Sequence, residues 1–456
     1  MILVPRKSLD DRTLVRDLGE LVLENAHFAR DRAGELYYYD HGVYIGSAEE
    51  VVRRKVKDFT MKYGQAGRWN RSLALEVIEY VRLDAPALDD IPPAHTINVS
   101  NGLLNIWTGD IEPHSPEFLS PIQIPVSFDP DARCPAVEKF VSETFEPETS
   151  QVAWEVLGDL ITPDRSIQKA ICLLGEGGNG KGVFCELCVR FLGPENVTHL
   201  SLQKLERDRF APARLHGKLA NICPDLPVSR LDDSAVFKAL TGCDRITGEH
   251  KYRNSFEFHP FARLLFSANH LPGSRDATRA YFDRWLIVPF EKRFRNSSAA
   301  ISRRVLDASL STSDELSGVL NRALPALRQV RNSGRFTESA SMRQARREFQ
   351  TACDFFGNWL DAEIVTDHRE SVGQGELYAA FSLLCARSNR NPITRQMFGR
   401  LLKKHRLGIE EFQTTVDGVR HWRYRGICLR NANALHSIPS TVNANGAAWF
   451  GSDRIE

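Results

Sequence analysis

Apolar positions in the first 130 residues follow a helical period in some segments and a strand period in others. The segments LVRDLGELVLENA and EVVRRKVKDFTMKYG repeat apolar residues at helical spacing, which predicts amphipathic helices. In ELYYYDHGVYI two aromatic runs flank Asp40, His41 and Gly42, and INVSNGLLNIWTGDIEPHSP alternates short apolar runs with turn dipeptides. Residues 1–130 are therefore predicted to form an α+β region.

A segment with two prolines, VSFDPDARCP, is typical of a linker and places a domain boundary near residue 130. After it, AVEKFVSETF and SQVAWEVLGDLI have helical periodicity, and SIQKAICLLG becomes a short apolar run typical of a buried strand. Further apolar runs occur in KLANICPDLP, FARLLFSANHLP and RAYFDRWLIVPF. We expect residues 131–295 to fold as one α/β core.

The C-terminal third begins with helical patterns. Residues 296–369 contain helical segments separated near Gly334 and are interpreted as a lid and a connector. Residues 370–430 have the order helix, turn, helix and two strands around Asp417 and Gly418, which is the order of a winged helix-turn-helix. Residues 431–456 are rich in Asn, Ala and Ser, a composition typical of a disordered tail.

The chain as a whole is nearly neutral. Its 59 Lys and Arg residues and 58 Asp and Glu residues give a net charge of +1, which predicts no strong overall attraction to nucleic acid or acidic membranes. The nine cysteines are scattered, and Cys185 and Cys188 are interpreted as buried thiols on one helix face. No segment resembles a signal peptide or a membrane span. We expect a cytoplasmic protein with no membrane partner.

A glycine-rich stretch, GEGGNGKG, follows the first apolar run of the α/β core. It fits the pattern G-x-x-x-x-G-K between a predicted strand and a predicted helix. Glycines let backbone N–H groups face phosphate, the helix start adds a positive dipole, and the lysine reaches the terminal phosphates. The pattern predicts that ATP is bound by Gly175, Glu176, Gly177, Gly178, Asn179, Gly180, Lys181, Gly182 and Val183.

Hydrolysis of ATP needs a carboxylate, a group that orients water and a cation for the developing charge. Asp225, after the strand-like run KLANIC, is the candidate acid and Mg²⁺ ligand. Asn269 ends another apolar strand and is the candidate that orients the attacking water. Arg284 precedes a third apolar strand and is placed to reach the nucleotide of a neighbouring subunit. A turn-forming asparagine and a structural arginine are the alternative interpretations.

Five stretches of the core resemble, in order and spacing, the superfamily III helicases, which are AAA+-type motors. The resemblance is to the branch of phage and plasmid primase-helicases and poxvirus NTPases, and it covers residues 95–430. The stretches are GEGGNGKG, GKLANICPDLP, FKALTGCDRITGEHKYRNSFEF, LLFSANHLP and AYFDRWLIVPFEKRF. The resemblance implies an α/β, AAA+-like P-loop NTPase core between an N-terminal α+β accessory region and a C-terminal winged helix-turn-helix.

The resemblance also implies roles for single residues. Lys181 is expected to bind ATP, Asp225 to supply the acid, Asn269 to act as sensor 1, and Arg284 to act across the interface of a hexameric ring that moves 3′ to 5′. Two features depart from the family pattern. Gly182 stands where Ser or Thr is more usual, and Pro224 interrupts the strand before the acid. The N-terminal region also lacks the primase motifs of longer relatives.

Two sets of basic residues are candidates for DNA contact. The resemblance implies a DNA-gripping hairpin in TGEHKYRNSFEF, with His250, Lys251 and Arg253 near its tip and Lys238 earlier, although a solvated turn explains the same residues. Residues 393–430 hold nine Lys or Arg residues against three acids. The candidates there are Arg395, Arg400, Lys403, Lys404, Arg420, Arg423 and Arg425. A winged helix can also bind protein, so that alternative stays open.

The sequence thus predicts an ATP- and Mg²⁺-dependent, ring-forming DNA helicase or translocase in the replication of a phage, plasmid or integrated element. Its expected partners are single-stranded and duplex DNA, further copies of itself, and a primase or other replication proteins. One alternative is a nucleotide-gated DNA-binding protein that loads on an origin and hydrolyses ATP weakly. Another is a metabolic kinase that uses the same loop.

Overall fold

The computed structural model of the chain describes residues 13–294 and 302–430, apart from positions 230, 232, 253, 275, 277, 389, 390, 407 and 417. The chain divides into two compact units between Gln350 and Thr351. The predicted tail, residues 431–456, lies outside the described residues. No described helix is both long enough and apolar enough to cross a lipid bilayer.

Three helices and a small antiparallel sheet begin the first unit. They are α1 (Leu14–Glu24), β1 (Phe28–Arg30), β2 (Leu36–Asp40), β3 (Val43–Ile45), α2 (Ala48–Lys62) and α3 (Arg71–Asp84). Strands β2 and β3 pair through Asp40 and Val43, which confirms the predicted hairpin. The turn residues His41 and Gly42 have positive φ values of 46° and 89°, the backbone that a two-residue hairpin turn needs.

A second antiparallel sheet follows, formed by β4 (Thr96–Val99), β5 (Gly102–Asn105) and β6 (Ile111–Glu112) in the order β4-β5-β6. Its buried residues Ile97, Val99 and Leu104 belong to the same apolar cluster as the central α/β part of the unit. The helices α1 to α3 instead surround a cluster of their own. The second sheet is therefore an extension of the central core.

The central part alternates helices and strands. Its elements are α4 (Pro135–Thr144), α5 (Pro147–Leu160), β7 (Ala170–Leu174), α6 (Lys181–Leu192), β8 (Val197–Thr198), α7 (Leu202–Arg207), β9 (Ala220–Cys223), α8 (Ala235–Gly242), β10 (Ile246–Gly248), β11 (Phe256–Phe258), β12 (Arg263–Ala268), α9 (Arg279–Phe282) and β13 (Trp285–Pro289). Short 3₁₀ helices lie at Ala66–Arg68, Pro194–Asn196 and Pro212–Leu215. The predicted α/β class is confirmed.

Five of these strands form a parallel sheet in the order β13-β7-β12-β9-β8. Strand β12 is buried along its whole length, as expected for a strand that is covered on both faces. From β7 the chain crosses to the β8 edge, whereas from β12 it crosses back over β7 to β13. Such a reversal opens a crevice at the carboxyl ends of the strands, where open α/β sheets bind ligands.

Three helices complete the first unit and lead out of it, namely α10 (Arg303–Ser309), α11 (Ser313–Ser333) and α12 (Ala340–Cys353). Helix α11 packs tightly against α5, because a Cβ atom on Gly158 would lie 2.5 Å from the carbonyl oxygen of Ala323. Gly334 ends α11 in a left-handed conformation with φ 68°, as the sequence predicts.

The second unit combines three helices with a three-stranded antiparallel sheet. The elements are α13 (Phe355–Glu363), β14 (Ile364–Gly373), α14 (Gln374–Arg387), α15 (Arg395–His405), β15 (Glu410–Val416) and β16 (Val419–Leu429), and the strand order is β14-β16-β15. Phe356, Phe381 and Phe398 lie in its core. The sequence predicts α14, α15 and the β15–β16 hairpin but not β14, whose pairing with β16 brings residues before 370 into this unit.

Candidate functional site

The glycine-rich loop connects the end of β7 to the start of α6. Gly175 has a φ of 157°, and a Cβ atom there would lie 2.5 Å from the carbonyl oxygen of Phe290. Gly180 precedes the helix in a left-handed conformation with φ 94°. Side chains are strained or excluded at both positions, so the loop needs glycine to turn sharply from strand to helix.

The ammonium of Lys181 is buried inside this loop. Its Nζ donates to the carbonyl oxygens of Gly175 and Glu176, the latter at 2.9 Å. It also donates to Oδ1 of Asn179 at 3.2 Å and to Oδ1 of Asn269 at 3.4 Å. Lys181 thus lies at the centre of the loop and reaches the neighbouring strand end.

Burial of the ammonium lowers the pKa of Lys181, and the thiols of Cys172 and Cys185 and the carboxylate of Asp225 oppose that shift. A phosphate placed against the loop would favour the charged lysine in the same way as Asp225 does, and more strongly. The loop therefore holds a cation whose charged form an anionic ligand would stabilise.

The segment after β13 runs along the loop. The side-chain amide of Asn179 donates to the Phe290 carbonyl at 2.9 Å, and the N–H of Phe294 donates to the Gly178 carbonyl at 2.9 Å. Arg293 forms an ion pair with Glu176. These contacts fix the loop from the side of β13 and neutralise the one acidic side chain within it.

Asn269 and Asp225 lie at the same edge of the sheet as the loop. Asn269 follows the last residue of β12, and Ala268 lies opposite Leu174 at the end of β7. Asp225 is exposed and lies two residues beyond the end of β9. The next residue, Leu226, donates its N–H to the carbonyl oxygen of Ser267 in β12 at 2.8 Å. The structure therefore brings Lys181, Asn269 and Asp225 to one crevice, with Lys181 and Asn269 in direct contact.

Arg284 lies at the amino ends of the parallel strands, whereas the loop lies at their carboxyl ends. Its carbonyl accepts from the N–H of Ala170 at 2.7 Å, and Ala170 begins the strand whose far end carries the loop. Its guanidinium donates to the Ala280 carbonyl at 2.8 Å and to Gln168 at 3.4 Å. Strands advance about 3.3 Å per residue, so Arg284 is not in reach of the loop of its own chain.

The predicted DNA-contacting hairpin is present as β10 and β11, paired in antiparallel fashion. At its tip the His250 ring stacks on Phe256 with 5.4 Å between centroids, and the Lys251 Nζ lies 5.9 Å from the ring of Phe210. Tyr252 is fully exposed, at 102% of its reference area, with a positive φ of 64°. Arg253 lies outside the described residues.

Lys238 lies on α8, which precedes the hairpin in the chain. Its ammonium forms an ion pair with Asp276, which also accepts from the Ser234 hydroxyl. Hydrogen bonds from Lys238, Ser234 and Thr278 outweigh burial and hold the pKa of Asp276 well below its usual value. Lys238 therefore already has a carboxylate partner within the chain.

The basic residues of the second unit differ in their partners. Lys403 pairs with Glu411 at 2.9 Å, Arg425 pairs with Glu410 at 3.5 Å, and Arg423 donates to the carbonyl of Ser371 at 2.7 Å. The guanidinium of Arg395 lies over the ring of Tyr378, 5.2 Å from its centroid. Among the described residues, no ion pair involves the exposed side chains of Arg400, Lys404 and Arg420.

Two residues near these sites are missed by the sequence analysis. Arg303 of α10 donates to the carbonyl of Gly182, at the start of α6, with 3.4 Å between donor and acceptor. Nothing in the local pattern around Arg303 indicates this contact, because it joins residues 121 positions apart. Tyr252 was detectable, since it lies between Lys251 and Arg253, and an aromatic residue among basic ones is typical of single-strand binding.

The predicted pair of thiols lies within α6. Cys185 and Cys188 are both buried, and burial raises the pKa of Cys185 to about 12. Within the described part of the chain, no group of three or more His, Cys, Asp or Glu side chains has the arrangement of a metal site. These thiols are therefore packing groups of the helix that follows the loop.

Comparison with known proteins gives matches to two families and to viral proteins. Residues 173–284 match a family of unknown function, DUF5906, and residues 12–146 match a family described as D5 N terminal like. "Putative helicase 121R" of Invertebrate iridescent virus 3 is 29% identical over 131 residues, which are 26% of this chain and 14% of that protein. "Putative helicase L207/L206" of Acanthamoeba polyphaga mimivirus is 24% identical over 228 residues, 46% of this chain and 24% of that protein.

A solved structure, the C-terminal region of NrS-1, aligns with a TM-score of 0.48 and 12% identity, covering 90% of this chain and 98% of that one. The chain covers at most 24% of the length of the two viral relatives. Its N-terminal third and its central α/β part thus match the two families, and the two viral relatives carry a helicase name.

Proposed function

We propose that the chain is an ATP-dependent DNA helicase or translocase of the superfamily III type, which works as a ring in the replication of a phage, virus, plasmid or integrated element. One observation carries the proposal: the Lys181 ammonium lies inside a glycine loop and contacts Asn269 at the carboxyl edge of a parallel sheet. A loop, a lysine and a strand-end amide at one edge are three of the parts that ATP hydrolysis uses, and Asp225 at the same edge is the candidate for the carboxylate.

ATP binds, in this proposal, at the loop between β7 and α6. Backbone N–H groups and the positive end of α6 face the phosphates, and the ammonium of Lys181 exchanges its loop carbonyls for phosphate oxygens. Asn269 orients the attacking water from the end of β12. Its contact with the lysine supports a position beside the terminal phosphate rather than beside the base.

Asp225 is the residue that holds Mg²⁺. Its carboxylate is exposed at the crevice edge and would hold the ion together with water and nucleotide phosphates, since Gly182 offers no hydroxyl. Mg²⁺ supplies neutralisation of the phosphate charge when it is bound with ATP. Asp225 would be the main protein group that holds the ion, so turnover should depend on it.

Arg284 acts on the nucleotide of a neighbouring subunit. Its position at the far edge of the sheet separates it from its own loop, which suits a residue that works across an interface. A closed ring repeats one such interface around an axis, and a hexamer is the form that the resemblance implies.

DNA contact is assigned to two regions. The β10–β11 hairpin, with His250, Lys251 and Tyr252 at its tip, contacts the single strand in the ring. The second unit, with helices α14 and α15 before the β15–β16 hairpin, is a winged helix that binds duplex DNA through its exposed basic residues. The helicase names of the viral relatives support this reading, and a primase or another replication protein is the partner expected for it.

A second candidate is favoured by Gly182. A loop without the metal-binding hydroxyl could bind nucleotide and gate DNA loading while hydrolysing it slowly. Turnover of ATP with and without single-stranded DNA separates the two candidates. A helicase hydrolyses ATP and is stimulated by DNA, whereas the gated protein binds ATP with little turnover in either condition.

The experiment compares the wild type with Lys181→Ala and with Lys139→Ala, an exposed lysine that pairs with Glu143 at 3.8 Å. Lys181→Ala should reduce turnover below roughly a tenth of the wild-type rate, because it removes the charge at the phosphates. Lys139→Ala should leave turnover unchanged. Equal nucleotide binding by the wild type and Lys181→Ala would place the ATP site elsewhere.

A further inference from the structure

The side chain that Gly182 lacks faces an arginine. A Cβ atom built on Gly182 would lie 3.5 Å from Nη1 and from Nη2 of Arg303. Gly182 is the second residue of α6, directly after Lys181, and Arg303 is the first residue of α10. A guanidinium from α10 therefore lies beside the position at which a hydroxyl is expected.

The contacts that hold Arg303 in this place are weak. Its Nη2 donates to the Gly182 carbonyl at 3.4 Å, and its Nε lies 3.5 Å from a carboxylate oxygen of Asp307. The side chain is 67% exposed. Both distances are at the long end for a hydrogen bond or an ion pair, and an exposed ion pair contributes little. The guanidinium can therefore leave these contacts and bind a stronger partner with little loss of free energy.

Arg303 also extends a row of contacts along the loop. The segment after β13 contacts Asn179 through the carbonyl of Phe290, Gly178 through the N–H of Phe294, and Glu176 through Arg293. Arg303 adds a contact at Gly182. The positive charge of Arg303 also acts on the first turns of α6, because it partly offsets the rise in the pKa of Cys185 that burial causes.

Two cations thus flank the start of α6, the Lys181 ammonium on the loop side and the Arg303 guanidinium on the α10 side. The start of a helix already carries a positive partial charge, so the two cations repel each other and the dipole in the absence of an anion. An anion of high charge removes that repulsion. A guanidinium binds two oxygens of a phosphate at once, which an ammonium does not.

We propose that Arg303 binds the terminal phosphates of a nucleoside triphosphate held by the loop of the same chain and so supplies positive charge beside position 182, where the metal-binding hydroxyl is absent. The proposal rests on the proposed function, because it requires that the loop binds ATP. It makes Arg303 a residue that distinguishes triphosphate from diphosphate in cis, whereas Arg284 acts in trans.

Equilibrium binding of ATP and of ADP, each with Mg²⁺ and with EDTA, tests this assignment. Arg303→Gln should weaken ATP binding about tenfold, equal to about 1.4 kcal/mol, and ADP binding much less. The loss should be larger in EDTA, where no metal ion shares the phosphate charge. Arg303→Lys should keep part of the affinity. Arg304→Gln, an exposed arginine next to it on α10, should bind both nucleotides like the wild type.

A double-mutant cycle with Gly182→Ser adds a second measurement. The serine should lower the Mg²⁺ concentration for half-maximal turnover more in the Arg303→Gln background than in the wild type, because the guanidinium and a metal ion held by the hydroxyl would neutralise the same phosphates. Additive effects would overturn the proposal, and so would equal loss of ATP and ADP affinity in Arg303→Gln. If Arg303→Gln binds normally and Lys181→Ala does not, the ATP site stands without Arg303. If the wild type binds no nucleotide, both proposals fail.

Discussion

The Nζ atom of Lys181 lies 3.4 Å from Oδ1 of Asn269, although 88 residues separate them along the chain. Both follow parallel strands that are neighbours in the sheet, and the strands end level with each other, since Leu174 lies opposite Ala268. Parallel pairing places the two strand exits at one edge, so residues that leave those strands meet there. The contact joins two motifs that the sequence presents separately.

Asn269→Ala should lower ATP turnover by about a hundredfold while ATP binding stays within a few-fold of wild type, because orientation of the attacking water, not phosphate affinity, is lost. Steady-state turnover and equilibrium binding measured on the same preparation separate the two effects. His270→Ala, at the exposed next position, is the matched control and should leave both quantities unchanged. A parallel loss of binding and turnover would make Asn269 a residue that only holds the loop.

Much of this architecture is predictable from local sequence, because strands and turns carry their own signals. The apolar run of β12, the His41–Gly42 turn and the glycine loop all appear where their patterns indicate them. Strand β14 is not predictable in the same way. It is exposed over most of its length and pairs with β16 only at its two ends, so it has no apolar alternation.

The site is less predictable than the strands, since its contacts cross the chain. Lys238 has the charge of a DNA-binding residue, yet it pairs with Asp276, which lies 38 positions later. The proximity of Arg303 to Gly182 depends on how α10 returns to the start of α6. Side-chain charge is visible in the sequence, but the partner that uses the charge is fixed by tertiary packing.

Asp159→Asn should lower the free energy of unfolding of the first unit by about 3 kcal/mol, because it leaves buried guanidinium charge without its counter-charge. Asp159 is fully buried and accepts from Arg263 at 2.8 Å and from Arg331 at 3.0 Å, which ties α5 to β12 and α11. Urea unfolding followed by tryptophan fluorescence measures the change. Glu50→Gln, in an exposed pair with Arg54 at 3.7 Å, should have no measurable effect. An unchanged urea midpoint for Asp159→Asn would show that the cluster does not stabilise the unit.

Mixing Arg284→Ala with Lys181→Ala subunits should restore ATP turnover that neither variant has alone. In an equal random mixture about a quarter of the interfaces pair an intact loop with an intact arginine, so up to about a quarter of the wild-type rate is expected. Turnover measured across mixing ratios should peak near equal amounts. No recovery in rings shown by mass to contain both variants would contradict action in trans.

Charge reversal in the second unit should weaken duplex DNA binding more at basic residues that have no ion pair within the described part of the chain than at residues that have one. Lys404→Glu and Arg420→Glu should weaken binding and lower the slope of log affinity against log salt by about one for each phosphate that the protein no longer neutralises. Lys403→Glu is the matched comparison and should lower the slope less, since Glu411 already pairs with Lys403 at 2.9 Å. Salt slopes that none of the three variants changes would favour protein binding by this unit.

Tyr252 offers a test in which stability and DNA binding should change in opposite directions. An aromatic side chain at φ 64° strains the backbone, and the fully exposed ring gains nothing from packing in return. Tyr252→Gly should therefore stabilise the hairpin slightly, because glycine adopts this conformation freely.

The same change should weaken binding of single-stranded DNA about tenfold, since stacking of one base on an aromatic ring contributes about 1–3 kcal/mol. Tyr252→Phe should retain binding, because stacking needs the ring and not the hydroxyl. Trp107→Ala, which removes another exposed aromatic side chain outside the hairpin, should leave binding unchanged. Thermal unfolding and fluorescence anisotropy with a labelled oligonucleotide measure the two quantities. If Tyr252→Gly binds the single strand as tightly as the wild type does, the ring at the hairpin tip does not stack on DNA.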